Sequence, residues 1–299
     1  MKLGRASLPL VAALLALAAG PALVRGGPPP PRGGFTVGWQ PAQIRVGDVA
    51  LVHVKGVPEG AVIEGSLGGR PLSFFPHAGG RAALVGVDVE TKPGVQTWHL
   101  AVVMPNDPLQ RVEGRLSIQR RDFPVQRLTL PTKMVDLDPE TERRAVTEGD
   151  QLRTLYRAIT PERLWRGRFT RPVEGTEPGT GFGSRRVING QPKAPHAGID
   201  FGAAPGTPVV AVNDGRVALV ADFFFPGRLV VIDHGLGLYT LYFHLQEAKV
   251  TDGERVSRGQ PIGTVGATGR ATGPHLHFGA HVGAARIDPA TLFELRVAN

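Results

Sequence analysis

Short apolar runs, each soon interrupted by glycine, proline or an Asn-Asp pair, recur along most of this 299-residue chain. The chain has 40 glycines and 27 prolines, and both residue types favour turns and disfavour the interior of long helices. The pattern therefore predicts a mainly β protein with few helices. The length is sufficient for two modest domains rather than one.

Residues 35–125 are predicted to form a small accessory β-sandwich, because several short strands with turn signals between them are typical of that fold. His53, His77 and His99 are isolated from one another in this sequence and are interpreted as surface or packed strand residues. The clearest strands are predicted at 49–54, 83–89 and 98–103.

Residues 126–172 are predicted to be a linker that contains a helix. Asp138 followed by Pro139, with acidic residues in the next turn, is typical of a helix start. Pro161 should end the helix, which we place up to about residue 159. Its apolar face is predicted from the helical spacing of Leu152, Leu155 and Tyr156.

Residues 173–299 are predicted to form an antiparallel β domain. The turn sequence Asn213-Asp214-Gly215 lies between two apolar runs and predicts a hairpin of 208–212 with 216–220. Further strands are predicted at 229–232, 238–243, 262–265 and 275–282, with a short helical turn at 289–293.

The N-terminus has the order of a secretory signal. Lys2 and Arg5 precede an apolar stretch, 8–17, and small residues follow it. We interpret 1–26 as a signal peptide and the Pro- and Gly-rich residues 27–34 as a tether. The expected location is the periplasm or the cell wall, with no integral membrane segment in the mature form.

Composition narrows the chemistry. The chain has no cysteine, which excludes disulfides, thiolate metal ligands and a thiol nucleophile. A net charge of +8 favours an anionic partner such as nucleic acid, a membrane surface or a polyanionic cell wall. The positive charges form no single dense run, so they do not choose among these partners.

Six of the nine histidines lie between positions 196 and 281, and two spacings stand out. The first is His196-x-x-x-Asp200. The second is His275-Leu276-His277, in which both imidazoles face one side of a strand. Histidines with one carboxylate suit a catalytic zinc, which takes three protein ligands and leaves a fourth position for water. Spacing alone leaves open which histidine of the pair would hold the metal.

The stretches 196–201, 242–245 and 273–278 resemble the three motifs of the lysostaphin-like (LytM-type) zinc endopeptidases. The resemblance covers roughly 180–293. It implies a lysostaphin-type antiparallel β-sheet peptidase domain with one zinc ion per chain and activity on bacterial peptidoglycan. It also implies that His196, Asp200 and His277 bind the zinc, and that His244 and His275 assist catalysis. Gly279 departs from the family form, in which a glutamate often follows, but this position is not a ligand.

Other candidates are weaker. Arg185 and Asn189 precede the first motif and are predicted to line the substrate groove. His234 is interpreted as a packing residue or a turn hydrogen-bonding group, and His281 as a groove-rim or surface residue.

The leading prediction is an exported zinc endopeptidase that cuts peptide crosslinks of peptidoglycan, with D-alanyl-diaminopimelate bonds favoured. The predicted partner is peptidoglycan and not nucleic acid, and a regulatory protein partner is a further expectation. The alternatives are a non-catalytic regulator that activates a separate amidase, and a wall-binding module. His-Glu-x-x-His, Ser-x-x-Lys and Walker motifs are absent from the sequence, which argues against thermolysin-type, penicillin-binding and phosphate-loop proteins.

Overall fold

The computed structural model of the protein describes residues 34–105, 107–132, 135–177, 179 and 181–297. The predicted signal peptide, 1–26, and residues 27–33 of the predicted tether lie outside the described residues. Strands far outnumber helices, which confirms the mainly β class. Within the described ranges, no helix has both the length and the apolar composition needed to cross a membrane.

The first part of the described chain contains strands β1 Thr36–Gln40, β2 Ile44–Arg45, β3 Val49–Lys55, β4 Val62–Leu67, β5 Arg70–Pro71, β6 Phe74–His77, β7 Gly80–Gly86, β8 Gly94–Val103, β9 Gln110–Gln119 and β10 Val125–Leu128. Helix α1 spans Pro139–Arg157. It is followed by β11 Arg185–Ile188, β12 Gln191–Pro192, β13 Gly198–Phe201, β14 Pro208–Val210, β15 Gly215–Phe223, β16 Gly227–Asp233, β17 Leu238–Ala248, β18 Arg255–Val256, β19 Pro261–Val265, β20 Leu276–Val282, β21 Ala285–Ile287 and α2 Pro289–Glu294.

Two sheets make up the N-terminal part. One has the strand order β1-β3-β7-β6 and the other β2-β9-β8-β4-β5. A single apolar cluster joins them, with Val52 and Val85 from the first sheet and Leu100 and Ile118 from the second. Because buried side chains of both sheets meet in one layer, the two sheets form a sandwich.

Strand β3 is buried on both faces along most of its length, which explains the consecutive apolar residues at 49–52. Val52 and Val54 point into the sandwich, whereas Val49 and Leu51 belong to the core of the C-terminal domain. A strand covered on both sides has no polar face to alternate with its apolar one. The N-terminal sheet therefore serves as one wall of the second domain's core.

Polar contacts reinforce this boundary. The Arg286 guanidinium contacts the Asp88 and Glu90 carboxylates at 2.7 and 2.6 Å, and the Val49 N–H donates to the Thr291 hydroxyl at 3.2 Å. Gly86 lies directly against the second domain, since a Cβ placed there would be 2.8 Å from the Val282 Cβ. The two parts are thus closely packed.

Helix α1 begins as predicted. The Asp138 carboxylate accepts hydrogen bonds from the N–H groups of Glu140 and Thr141, both at 3.0 Å, and Pro139 occupies the first turn. The predicted apolar face is also present, because Tyr156 packs with Tyr239 and other residues on the outer face of the C-terminal sheet.

The C-terminal sheet has the path β13-β20-β17-β16-β15-β18, and all its strand pairs are antiparallel. The predicted hairpin of 208–212 with 216–220 is wrong, because β14 pairs with β19 while β15 pairs with β16 and β18. The physical reason lies in Asn213, whose amide bonds to the backbone of Arg166 and Arg168 instead of closing a two-residue turn.

The prediction that His281 is a groove-rim or surface residue is wrong. Its side chain continues the outer face of β20, but α1 covers that part of the sheet. The Tyr156 ring centroid lies 4.2 Å from that of His281, and the residue is only 9% exposed. Burial, with a further contribution from the nearby Arg286 charge, lowers the pKa of His281 to about 4.

We predict that Gly86→Val destabilises the protein by about 1–3 kcal/mol, because the added side chain would overlap Val282 and its neighbours at the domain boundary. Urea unfolding measures the change. Gly38→Val in β1 is the matched control, since nothing lies within 4 Å of its Cβ position. Equal stability of the two variants would show that the boundary is loose.

A second prediction concerns pH. The pKa of His281 is lower in the folded protein than in the unfolded chain. The stability that the neutral, buried imidazole contributes to the free energy of unfolding is therefore complete above about pH 6.5 and is lost as the pH falls towards 4. In His281→Asn, the slope of unfolding free energy over this range should decrease by at most about 1.4 kcal/mol per pH unit. Urea unfolding at several pH values measures it. His99→Asn removes an exposed imidazole as control, and an unchanged slope in His281→Asn would contradict the prediction.

Candidate metal centre

Strand pairing brings the first and last histidine motifs together. In the antiparallel pair β13–β20, Asp200 stands directly opposite His277. On the other side of β20, His277 stands opposite Phe243 of β17. His196 lies two residues before β13 and therefore reaches the same point. Motifs separated by about a quarter of the chain become neighbours through two strand registers.

Three ligand atoms converge there. His196 Nε2 and His277 Nδ1 are 2.8 Å apart, and they lie 3.2 and 2.9 Å from Asp200 Oδ1. In a tetrahedral zinc site with bonds near 2.0–2.1 Å, ligand atoms are separated by roughly 3.3 Å. The triangle is therefore close to the size that one zinc ion requires. The nitrogen and carboxylate donors also suit this metal.

Two contacts orient the imidazoles. His196 Nδ1 lies 3.0 Å from the Gly181 carbonyl oxygen, which assigns the proton to Nδ1 and directs the Nε2 lone pair at the site. The His277 ring stacks on Phe243, with centroids 5.4 Å apart and planes 19° apart. Gly198 leaves room for this ring, because a Cβ there would lie 2.7 Å from His277 Nε2.

The charges of the three groups also fit a cation. Burial raises the pKa of Asp200, but contact with the His196 and His277 ring nitrogens outweighs burial and holds the pKa well below its usual range. Burial lowers the pKa of His277 to about 4. At neutral pH the site therefore presents a carboxylate and an unprotonated imidazole, as metal ligation requires.

His244 reaches the same cavity through a β-bulge. Opposite β16, Phe243 and His244 together face Leu229, because Tyr242 pairs with Val230 and Leu245 with Arg228. Regular alternation would direct His244 into the core with Tyr242, whereas the bulge turns it to the metal side. His244 has φ 63°, a backbone conformation that non-glycine residues rarely adopt and that is common at functional sites.

His244 and His275 form a pair beside the three ligand atoms. Their ring centroids are 4.8 Å apart. The Nδ1 atoms lie 2.8 Å from the carbonyl oxygens of Thr268 and Gly273 respectively, which leaves Nε2 as the free acceptor on each ring. Burial, with a further contribution from the neighbouring His277, lowers the pKa of His244 to about 4. His244 is therefore unprotonated at neutral pH.

The His-Leu-His spacing leaves open whether His275 or His277 is the metal ligand, and the distances of the two rings from Asp200 distinguish them. His277 Nδ1 lies within the ligand triangle, whereas His275 Nε2 is 3.9 Å from Asp200 Oδ1. Among the described residues, the group that could hold a metal consists of His196, Asp200 and His277. The geometry agrees with the ligand set implied by the resemblance, which stays a prediction.

A cavity of about 240 Å³ opens beside these groups. One wall consists of β10 and β11, which pair in parallel, with Gln126 opposite Arg186 and Leu128 opposite Ile188. Three of the four residues of β10 thus lie inside the range predicted as a linker, 126–172, although the strand lines the site. Arg270 and Thr272, from the loop before β20, line the cavity as well.

The predicted groove residues lie elsewhere. Arg185 is exposed and lines a neighbouring cavity of about 780 Å³, while the next residue, Arg186, lines both that cavity and the one beside the histidines. Asn189 holds the wall together, since its side chain bonds to the N–H and carbonyl of Leu130, both at 3.0 Å. Substrate contact by Arg185 and Asn189 stays a prediction.

Sequence reasoning missed Arg186, Arg270 and the β10 wall. The Arg185-Arg186 pair carries no signal for which side chain faces the site until the strand phase is known. His234 matches its interpretation as a packed residue, because it is buried, with Nδ1 2.7 Å from the Asp214 carbonyl oxygen and Nε2 2.8 Å from the Thr240 hydroxyl.

Comparison with known proteins agrees with the resemblance to zinc endopeptidases found in the sequence. Residues 194–289 match peptidase family M23. A solved structure of a peptidase M23 candidate from Pseudomonas aeruginosa is 31% identical, with a TM-score of 0.66, and the match covers 84% of this chain and 95% of that one. The likeness thus includes most of the N-terminal part.

Two curated relatives come from Vibrio cholerae. The peptidoglycan DD-endopeptidase ShyC is 42% identical over 123 residues, which are 40% of this chain and 28% of that protein. The peptidoglycan DD-endopeptidase ShyA is 39% identical over 130 residues, which are 44% of this chain and 28% of that protein. The matches thus span little more than a quarter of each curated relative.

We predict that His277→Ala weakens zinc binding by more than about 100-fold, because removing a direct ligand should cost more than removing a residue that only supports one. His275→Ala is the matched change two residues away and should retain one zinc per chain. Equilibrium dialysis with metal analysis measures both. Loss of zinc from His275→Ala, with retention in His277→Ala, would reverse the assignment within the pair.

Proposed function

Because the chain belongs to peptidase family M23, we propose that it is an exported zinc-dependent endopeptidase that hydrolyses peptide crosslinks of bacterial peptidoglycan. The observation that carries the proposal is the convergence of five side chains, of which four line one cavity and the fifth, His196, contacts two of those four. These are the candidate ligands and the assisting pair: His196, Asp200, His277, His244 and His275. The printed activities of the Vibrio cholerae relatives support peptidoglycan as the substrate.

His196, Asp200 and His277 would hold the zinc. When bound, it supplies a polarising charge and acidifies a water molecule towards neutral pH. Amide hydrolysis then needs groups that accept the proton of the attacking water and return it to the leaving amine. His244 and His275 are suited to this work, because their Nδ1 atoms are fixed by backbone carbonyls and their Nε2 atoms are available.

The cavity favours a peptide substrate. Leu128, Leu130 and Ile188 give one wall an apolar surface, while Gln126 and Thr272 offer hydrogen-bonding groups. A mixed lining of this kind can hold an extended peptide against the metal side of the cavity. D-Alanyl-diaminopimelate crosslinks are the proposed bonds, in agreement with the relatives named as DD-endopeptidases.

Export completes the proposal. Peptidoglycan lies outside the cytoplasmic membrane, and residues 1–26 have the pattern of a secretory signal. The net charge of +8 favours association with a carboxylate-rich polymer. The N-terminal sandwich would then travel with the peptidase domain to the periplasm or the wall.

Digestion of purified sacculi tests the proposal. The zinc-loaded protein should release muropeptides whose masses, measured by mass spectrometry, correspond to opened crosslinks. His275→Ala should retain zinc but lower the rate by roughly 100-fold or more, the usual contribution of a positioned acid or base. Intact sacculi after treatment with zinc-loaded wild-type protein would overturn the enzyme proposal. Stimulation of a separate amidase by the same protein would then favour the regulator.

A further inference from the structure

We infer that Arg186 and Arg270 form a carboxylate-binding pair, which makes this site select peptides with a free carboxylate next to the bond that is cut. The inference rests on the proposed function and adds the substrate group that the site would recognise, a free carboxylate. Both arginines line the same small cavity as Asp200, His244, His275 and His277. A carboxylate held by them would therefore lie close to the reacting amide.

The strand phase of β11 directs Arg186 to the site. Arg186 and Ile188, two residues apart, line the cavity, whereas Arg185 is exposed and does not line it. The parallel register with β10 places Gln126 beside Arg186, and the Arg186 Nε–H donates to the Gln126 side-chain oxygen at 3.4 Å. This neutral contact positions the guanidinium and leaves its charge without compensation from Gln126.

A separate loop holds Arg270. The Arg270 guanidinium lies over the Phe225 ring, 4.0 Å from the centroid, and the Arg270 backbone N–H donates to the Phe225 carbonyl at 3.0 Å. The preceding residue is fixed too, because a Cβ on Gly269 would lie 2.2 Å from the Gly227 nitrogen. The Arg270 side chain is thus built into the junction between two turns instead of extending freely into solvent.

The electrostatics favour an anionic ligand. Burial lowers the pKa of the Arg186 guanidinium, and burial together with the positive charge of Arg186 lowers that of Arg270. Asp200 is the one carboxylate among the described residues that line the cavity, and it is also a candidate metal ligand. With a divalent cation bound, the described residues that line the cavity would carry more positive than negative charge, which favours an anionic ligand.

The chemistry of the pair identifies the group it would bind. A guanidinium fork matches the two oxygens of a carboxylate and forms short, charge-assisted hydrogen bonds with it. In a D-alanyl-diaminopimelate crosslink, the carbon that bears the leaving amine also bears a free carboxylate. A glycine bridge has no such group inside the chain. The arginine pair would therefore favour the first type of bond and disfavour internal glycine bonds.

A matched pair of soluble substrates tests this. Both are muropeptide dimers joined by a D-alanyl-diaminopimelate bond; in one the diaminopimelate carboxylate beside the bond is free, and in the other it is amidated. Wild-type protein should cleave the free form with about 10- to 100-fold higher kcat/KM, as expected for hydrogen bonds to a charged group. Arg186→Gln and Arg270→Gln should lose most of this preference, mainly through slower cleavage of the free form.

The controls separate binding from folding. Arg186→Lys keeps the charge but not the fork and should retain part of the preference. Arg216→Gln, an exposed arginine of β15 outside the cavity, should match wild type. Melting temperature and zinc content identify variants that fail to fold. A folded Arg186→Gln that loses activity equally on both substrates, or wild type that cleaves both equally, would overturn the inference.

The same experiment keeps this inference distinct from the proposed function. If zinc-loaded wild-type protein cleaves neither dimer nor sacculi, the enzyme proposal has failed. If it cleaves both dimers at the same rate, the enzyme proposal stands and the carboxylate-binding pair is rejected.

Discussion

The antiparallel pairing of β13 with β20 is the constraint on which the rest of the site depends. It sets Asp200 opposite His277, and the same strand pairs with β17 on its other side, where the bulge at His244 begins. A slip of one residue would turn His277 into the core and Leu276 towards the cavity. The buried side chains of Leu276 and Phe278 oppose such a slip, so that core packing fixes the position of the candidate ligands.

Much of this arrangement could be predicted from the sequence where the signal is local. The Asp138 cap and the facing pair His275 and His277 follow from short spacings, and the motif resemblance supplied the candidate ligands. The features that could not be predicted depend on distant partners. Strand β14 pairs with β19 because the Asn213 amide is occupied by a segment more than 40 residues earlier. His281 is buried by helix α1, which precedes the C-terminal domain in the chain.

Strand phase limits prediction in the same way. An alternating pattern identifies which residues share a face of a strand but not whether that face lies towards the site. The sequence therefore does not distinguish Arg185 from Arg186 as the residue that lines the cavity; the pairing of β11 with β10 does. At His244 a bulge reverses the phase within one strand, and nothing in the local sequence marks it. Functional side chains concentrate at these irregularities because they require positions that regular alternation would assign to the core.

Because both faces of β3 are buried, the N-terminal and C-terminal halves of the chain are not structurally independent. Val49, Leu51, Phe75 and Leu84 of the first sheet complete a core whose other members, including Trp165, belong to the C-terminal half. Cutting the chain at the linker would expose apolar surface on both fragments instead of releasing two self-contained units. The two halves therefore depend on each other to bury this core, and exchange of either half between proteins would require compensating changes across the shared layer.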